Sequence, residues 1–228
     1  PIFVFDKTIL AQSEDKADRR VDFIHQTLTR LQNELVEKGK SLWVNYGTPL
    51  EVFEKLFIEF KVASVYTNHD YGPKANARDK SIEALALKNG ASYHHFKDQV
   101  IFEKDEVIKD DGKPYTINTP YANKWRAVWA QKIPKKYPSE KLLDYFLDTK
   151  AFKLPTLKEI GFEKSDLVIP PMSYDTKIVK NYTEQRNFPA LNATTHLSVH
   201  LRFGTISART LALETQSLNS TFFNELIW

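Results

Sequence analysis

The spacing of apolar residues predicts alternating strands and helices in the first part of the chain. Short apolar runs of strand length lie at 2–5, 41–46, 63–68 and 91–96. Between them, apolar positions three and four residues apart predict helices over 18–37, 48–60 and 75–88. Strands that alternate with helices favour parallel strands joined by right-handed crossovers. The pattern therefore predicts an α/β fold with a doubly wound, Rossmann-like parallel sheet.

The pattern changes after residue 110. Eight of the eleven prolines lie between Pro114 and Pro189. From Ser173 onward the periodicity is helical, over 174–186, 195–203, 207–216 and 219–228. The chain is therefore predicted to have three parts: an α/β antenna-type domain over 1–131, an inter-domain linker over 132–172 and the first helices of an all-α domain over 173–228. Because prolines break helices, we expect the linker to have little regular structure and to wrap the surface.

Both ends of the chain carry patterns that normally lie inside a domain. Residues 1–6 read as a fully buried strand, with no initiator methionine before it. Residues 222–228 resemble the middle of an amphipathic helix, with no cap, glycine or proline to stop it. We therefore expect a chain truncated at both ends, whose sheet lacks a central strand encoded upstream.

Composition narrows the class of protein. Of the 228 residues, 42% are hydrophobic and 27% are charged, as in an ordinary globular protein. The absence of cysteine excludes disulfides, zinc–thiolate sites and a cysteine nucleophile. A net charge of +3 is too small to indicate nucleic-acid binding by itself. With no secretory signal and no apolar stretch long enough for a membrane helix, we expect a cytoplasmic location.

The α/β part carries no familiar catalytic or cofactor motif. Neither a Gly-x-Gly-x-x-Gly sequence nor a Walker sequence is present, so a standard dinucleotide or P-loop site is not expected there. His94 and His95 are adjacent, and in a strand they point to opposite faces, so they cannot chelate together. No metal site and no catalytic residue is predicted.

The most informative stretch of the chain runs from 182 to 207. Thr194 and Thr195 are candidate N-caps for a helix that ends at Gly204. Leu197 and Leu201 lie on its apolar side, and Ser198 lies in its first turn. Three hydroxyls beside free backbone N–H groups suit an anion such as a diphosphate. An ordinary capped helix in a bundle is the other interpretation.

This stretch resembles the flavin-binding helical domain of the DNA photolyase and cryptochrome family. That family has a Tyr, an Arg-Asp-Phe-Pro-like run, Gly-Thr-Ser-x-Leu-Ser, and a Leu-x-x-Gly-x-(Ile/Val)-Ser tail. The matching positions here are Tyr182, Arg186, Phe188, Pro189, Thr194, Leu197, Ser198, Leu201, Gly204 and Ser207. The final five residues, 224–228, resemble the family's Asn-Glu-Leu-x-Trp. Further similarity lies in Phe5-Asp6, 18–28, Tyr66-Thr-Asn68, Arg78-Asp79 and 115–121, so that the resemblance, to a microbial class I photolyase, covers the whole chain.

The resemblance implies the parent enzyme's chemistry and the roles of several residues. In the full-length enzyme, a deoxyribodipyrimidine photo-lyase, photoexcited reduced FAD passes an electron to a cyclobutane pyrimidine dimer flipped out of the DNA, and the dimer splits. The residues implied to contact FAD are Tyr182, Thr194, Thr195, His196, Leu197, Ser198 and Trp228. Arg186 is implied to contact a DNA phosphate, which positions the DNA without reading its sequence. The implied partner is DNA containing pyrimidine dimers, with no membrane and no obligate protein partner.

Departures from the family pattern leave two points open. Asn187 stands where Asp is usual, and residues 193–196 replace Gly-Thr-Ser-Arg. Residues 71–75 lack the Asn-Glu pair of folate-antenna members, so the identity of an antenna chromophore stays open. Because the substrate-contacting helices of the family are missing, we expect the fragment alone to be inactive. The alternatives are a cryptochrome-like blue-light receptor and a stand-alone nucleotide-binding α/β module.

Overall fold

A computed structural model describes residues 1–227. In this part the chain forms two compact units, each assembled from two separate stretches. The first unit comprises Pro1–Phe96 and Pro138–Ile169. The second comprises Lys97–Tyr137 and the chain from Pro170 onward. Each unit therefore has its own core, described separately below.

Strands and helices alternate in the first unit, as the sequence predicts. The elements are β1 (Ile2–Asp6), α1 (Lys7–Leu10), α2 (Arg19–Val36), β2 (Trp43–Gly47), α3 (Pro49–Glu59), β3 (Ser64–Asn68), α4 (Pro73–Lys88) and β4 (Ser92–Phe96). Parallel pairing joins β1 to β2, with Phe3 opposite Val44, and joins β3 to β4, with Tyr66 opposite His94. No strand among residues 1–227 links β1 to β3, so the structure contains two separate two-stranded sheets.

Local capping chemistry explains where two of the predicted helices of this unit, α2 and α3, begin. The Asp18 carboxylate accepts a hydrogen bond from the backbone N–H of Arg20 and caps α2. Thr48 and Glu51 form a reciprocal capping box at α3, and Pro49 occupies the first helical position. These starts agree with the prediction because the residues that fix them are sequence neighbours.

The second stretch of the first unit, 138–169, contributes to its core. Its only regular structure, within the described chain, is two short 3-10 helices, Ser139–Tyr145 and Lys158–Ile160. This agrees with the predicted lack of regular structure. However, Ile160 and Phe162 are buried beside Phe5, Val21 and Val44. The segment is therefore a structural part of the α/β unit and not only a connection across its surface.

The second unit is helical. Its helices are α5 (Asn118–Gln131), α6 (Thr176–Lys180), α7 (Tyr182–Gln185), α8 (Ser198–Phe203), α9 (Ala208–Thr215) and α10 (Ser220–Glu225), with a 3-10 turn at Lys104–Glu106. Trp125 and Trp129 of α5 stack with their ring centroids 5.2 Å apart, and Phe223 of α10 meets both rings edge-on. Because these aromatic rings are buried together, α5 packs with the later helices.

The compact units divide the chain differently from the predicted domains. The predicted domain boundaries follow residues 131 and 172. In the structure the chain leaves the first unit after Phe96, returns to it after Tyr137 and leaves it again after Ile169. The predicted helix over 174–186 is interrupted at Asn181, which ends α6 and precedes α7. The predicted fold class, parallel α/β followed by helices, is confirmed. In the described part of the chain, no helix is both long enough and apolar enough to cross a membrane.

Candidate functional site

The helix predicted to follow Thr194 and Thr195 starts later than expected. It begins at Ser198, and its N-cap position is occupied by Leu197, whose side chain makes no capping hydrogen bond. Just before it, His196 adopts a left-handed backbone conformation with φ 54°. This reversal interrupts any helix that would start at Thr194 or Thr195. The prediction that these threonines cap the helix is therefore wrong.

Leu197 fixes this segment to the core of the second unit. Its side chain is buried and packs in one cluster with Val179, Leu211 and Phe222. At the other end of α8, Gly204 has φ 68°, in the left-handed region that glycine tolerates best. The predicted helix end at Gly204 is confirmed, and Leu201 packs against the same cluster as Leu197, although Leu197 precedes the helix.

The three hydroxyl groups of this segment remain available to a ligand. Thr194 and Ser198 are exposed, and Thr195 is partly exposed. Within residues 1–227, none of these hydroxyls is hydrogen-bonded to another side chain or to the backbone. The exposed His196 places Nε2 3.0 Å from Oδ1 of Asn192. Hydroxyl donors grouped on one exposed loop suit an anionic group, although a six-residue helix adds little dipole.

Tyr182 and Arg186 lie next to each other. The ring of Tyr182 meets Phe222 edge-on at 5.2 Å, and the Arg186 guanidinium lies 5.5 Å from the Tyr182 ring centroid. Arg186 also forms an ion pair with Glu225. Hydrogen bonds with Tyr182 and with Glu225 raise the pKa of Arg186 above its ordinary value. Arg186 is therefore a permanent positive charge, and a phosphate would compete with Glu225 for it.

Asn219 connects the helices around Tyr182, a role that the sequence analysis missed. Its Oδ1 accepts from the Phe222 N–H and so caps α10. The same oxygen accepts from the Thr183 hydroxyl, and its Nδ2 donates to the Lys180 carbonyl. An Asn just before an apolar helix is a recognisable cap signal. The contact with Thr183, 36 positions away, has no local signal. Trp228, also predicted at the flavin site, lies outside the described residues.

A polar cleft opens in the first unit at the carboxyl ends of its parallel strands. It has a volume of about 710 Å³ and is bounded by the end of β1 and by the starts of α3 and α4. Its charged lining residues are Asp6, Asp70, Lys74 and Arg78. Open α/β sheets commonly bind ligands in a crevice at this edge. Across residues 1–227, no cluster of three or more histidine or acidic side chains is placed to hold a metal ion.

Comparison with known families assigns the protein to one of them. A parallel α/β unit followed by short helices with grouped hydroxyls is the arrangement that the sequence resemblance implies. Residues 1–139 match the family model described as DNA photolyase. More than half of the chain is matched, and the protein therefore belongs to the DNA photolyase family.

Individual relatives agree with this membership. The deoxyribodipyrimidine photo-lyase of a Synechococcus species is 28% identical over 224 residues, which cover 91% of this chain and 46% of that protein. The enzyme of the same name from Halobacterium salinarum is 28% identical over 223 residues, covering 92% and 45%. The chain thus spans about half the length of the photolyases that it matches.

Solved structures share the fold. A class III photolyase from Agrobacterium tumefaciens superposes with a TM-score of 0.71 at 22% identity, over 100% of this chain and 51% of that one. An archaeal photolyase from Sulfolobus tokodaii gives 0.67 at 24%, over 100% and 50%. A cryptochrome from Synechocystis gives 0.68 at 15%, over 100% and 53%. At these identities the likeness concerns the fold alone.

Proposed function

We propose that this chain is part of a light-dependent lyase that repairs cyclobutane pyrimidine dimers in DNA, and that it supplies one side of the FAD site. Membership of the DNA photolyase family supports the reaction class. The observation that carries the proposal is the group of free hydroxyls at Thr194, Thr195 and Ser198, because it stands where the family pattern has its flavin motif.

The residues of this segment fit one side of a diphosphate group. The hydroxyls of Thr194 and Ser198 are exposed donors, and the burial of Leu197 holds the segment that carries them. Tyr182, fixed by Phe222, would form an adjacent wall. When bound, photoexcited reduced FAD would supply the electron that splits the dimer. The role of this chain is to bind and orient that group.

One side of a site does not retain a large ligand. A phosphate at an exposed helix N-terminus gains about 0.3–1 kcal/mol from the helix dipole. Association costs roughly 4 kcal/mol or more in lost freedom of motion. Flavin sites also bury most of a large ligand between several elements. The isolated chain is therefore proposed to be colourless after purification and inactive in repair.

An NMR titration with ADP, which carries the diphosphate, tests the proposed phosphate contacts. We expect amide shifts at Thr194–Ser198 with a dissociation constant in the millimolar range, since few contacts are available. The double variant Thr194→Val, Ser198→Ala removes two hydroxyls and should abolish these shifts. Ser217→Ala, an exposed serine elsewhere in the second unit, should leave them unchanged.

Two results would contradict this assignment. If millimolar ADP leaves 194–198 unshifted, these hydroxyls are not a phosphate site. If the purified chain carries stoichiometric flavin, measured by absorbance, the site is more complete than one wall. Light-dependent repair by a longer protein containing this chain then separates the lyase from a cryptochrome-like receptor.

The polar cleft of the first unit is the proposed site for an antenna chromophore. Its position at the strand ends suits a ligand, and Lys74 offers a positive charge to an anionic group, whereas Arg78 pairs with Asp79 and the lining also carries Asp6 and Asp70. The archaeal photolyase named above is described as holding two FAD molecules, with the implication of a novel light-harvesting cofactor. In a titration with FAD, shifts at 72–74 would indicate this cleft, separately from those at 194–198. Their absence at millimolar FAD would exclude a flavin there.

DNA containing pyrimidine dimers is the proposed partner, with Arg186 on a phosphate. The contact requires Arg186 to turn from Glu225 towards the DNA, since the two form an ion pair in the free chain. A permanent charge that is only locally paired is suited to such an exchange.

A further inference from the structure

A second cleft in the first unit is lined by lysines and is separate from the sites described above. It has a volume of about 680 Å³ and lies between residue 16 and the stretch 156–164. Lys16, Lys158 and Lys164 line it, and all three are exposed. None of the three forms an ion pair with another residue of the described chain. We refer to this feature as the lysine cleft.

The lining of the lysine cleft carries more positive than negative charge. Glu163 is the single carboxylate in its lining, against three lysines. The neighbouring Glu159 is bonded to Lys153, and Asp166 is bonded to Arg19. These two carboxylates are therefore engaged elsewhere, and the buried Asp22 near Lys164 offsets only part of the lining's excess of two positive charges.

The two sides of the lysine cleft are held together by the fold. The backbone N–H of Glu163 donates to the Lys16 carbonyl at 2.7 Å. The ammonium of Lys16 lies 5.5 Å from the ring centroid of Phe162, which is itself buried in the core. The backbone of the cleft is therefore formed before any partner arrives, so that ordering on binding is confined to the exposed lysine side chains.

We propose that the lysine cleft binds the phosphate backbone of nucleic acid, as a contact additional to Arg186. This rests on the proposed function, in which the partner is DNA. Lysine ammonium groups are compact point charges that bind phosphate oxygens. Contacts of this kind position a duplex without reading its sequence, so undamaged DNA is a sufficient probe. Because the overall charge of the chain is only +3, attraction of DNA depends on a local cluster of positive charge such as this one.

The test compares two triple variants of the full 228-residue chain that lose the same charge. The first variant removes the positive charge of the cleft through Lys16→Gln, Lys158→Gln and Lys164→Gln. The second variant, the control, removes three exposed lysines elsewhere in the first unit through Lys38→Gln, Lys61→Gln and Lys88→Gln. Binding to an undamaged duplex is measured over a range of salt concentrations. The slope of log K against log salt should become shallower by about 0.9 for each lysine that contacts a phosphate, and only in the cleft variant.

A variant that strengthens DNA binding provides an independent check, because an unfolded variant would not bind more tightly. Glu163→Gln removes the one carboxylate of the cleft and should strengthen DNA binding and steepen the salt dependence. Equal effects of the two triple variants, or no effect of Glu163→Gln, would overturn the proposal.

The variant Arg186→Gln, measured in the same way, separates a failure of this proposal from a failure of the proposed function. If only Arg186→Gln changes the salt slope, the lysine cleft is not a DNA contact, although the proposed function stands. If the wild-type chain binds no DNA, the cleft proposal fails, whereas the ADP titration still decides the flavin site.

Discussion

At the scale of single residues, Asp22 joins two parts of the chain that are far apart in sequence. It lies in α2 and is 1% exposed. One carboxylate oxygen accepts from the backbone N–H and the hydroxyl of Ser165, at 2.9 and 2.6 Å, and the other accepts from Gln26 at 3.0 Å. Burial raises the pKa of Asp22, but these hydrogen bonds, together with the nearby charge of Lys164, outweigh it and hold the pKa below its ordinary value.

Replacing Asp22 with Asn should destabilise the first unit. An amide has a single acceptor oxygen, so the side chain of the variant cannot accept from Ser165 and from Gln26 at the same time, and the loss of one hydrogen bond to a charged acceptor costs about 1–3 kcal/mol. Because the folded-state pKa is depressed, the ionised carboxylate stabilises the fold above the ordinary value of 3.8, and this is lost as the pH falls through the folded-state pKa. The variant should therefore lose less stability on acidification than the wild type.

Urea denaturation at pH 7 and at pH 3 measures both effects of Asp22→Asn. Asp144→Asn, at an exposed position of the same unit, is the control and should behave like the wild type. A variant with unchanged stability at pH 7, or with the full acid sensitivity of the wild type, would show that Asp22 contributes no such anchor.

At the scale of elements, the stretch 138–169 is attached to the α/β unit by polar as well as apolar contacts. The side-chain amide of Gln32 donates to the Phe152 carbonyl at 2.7 Å, and the Phe152 N–H donates to the Ser41 hydroxyl at 2.9 Å. Lys40 forms an ion pair with Asp148 at 2.6 Å. Such contacts fix an irregular segment because its backbone groups are satisfied by Gln32 of α2 and by Ser41 in the loop before β2.

Ile160→Ala tests whether this stretch is part of the fold. Ile160 is 1% exposed, so truncation should cost about 2–5 kcal/mol through lost burial and the cavity left behind. Val168→Ala, at an 86% exposed position of the same stretch, should change stability by less than about 0.5 kcal/mol. Chemical denaturation followed by circular dichroism gives both values. Equal, small effects would show that the segment is only a connection.

At the scale of the whole molecule, the chain passes from one unit to the other three times. The passages follow Phe96, Tyr137 and Ile169. Each unit is therefore built from one stretch before residue 137 and one after it. Cutting the backbone near the second passage leaves each unit with residues from both fragments, which meet in one buried cluster of each unit.

A protease site inserted between Lys135 and Lys136 tests this arrangement. Both residues are exposed and lie in an irregular segment, so the insertion should leave the fold intact. After cleavage the two fragments should co-elute in size-exclusion chromatography, and should separate only in denaturant, since their apolar surfaces remain buried together. Uncut protein is the control. Separate elution in native buffer would contradict the two discontinuous units.

Much of the fold could be predicted because its signals are local. The starts of α2 and α3 depend on Asp18, Thr48 and Pro49, which are close in sequence to the N–H groups that they cap or precede. The candidate site was less predictable. Thr194 and Thr195 carry the residue types of N-caps, but the burial of Leu197 and the left-handed turn at His196 move the helix start to Ser198.

The sequence alone determined the order of strands and helices, the fold class and the family, because periodicity, capping and motif spacing are read between near neighbours. Only the tertiary structure decided that Ile160 and Phe162 complete the first core, that α5 packs with α10, and that Arg186 pairs with Glu225. These contacts join residues many positions apart. The energy that selects them comes from burial and from satisfying polar groups across the folded chain, which no local pattern encodes.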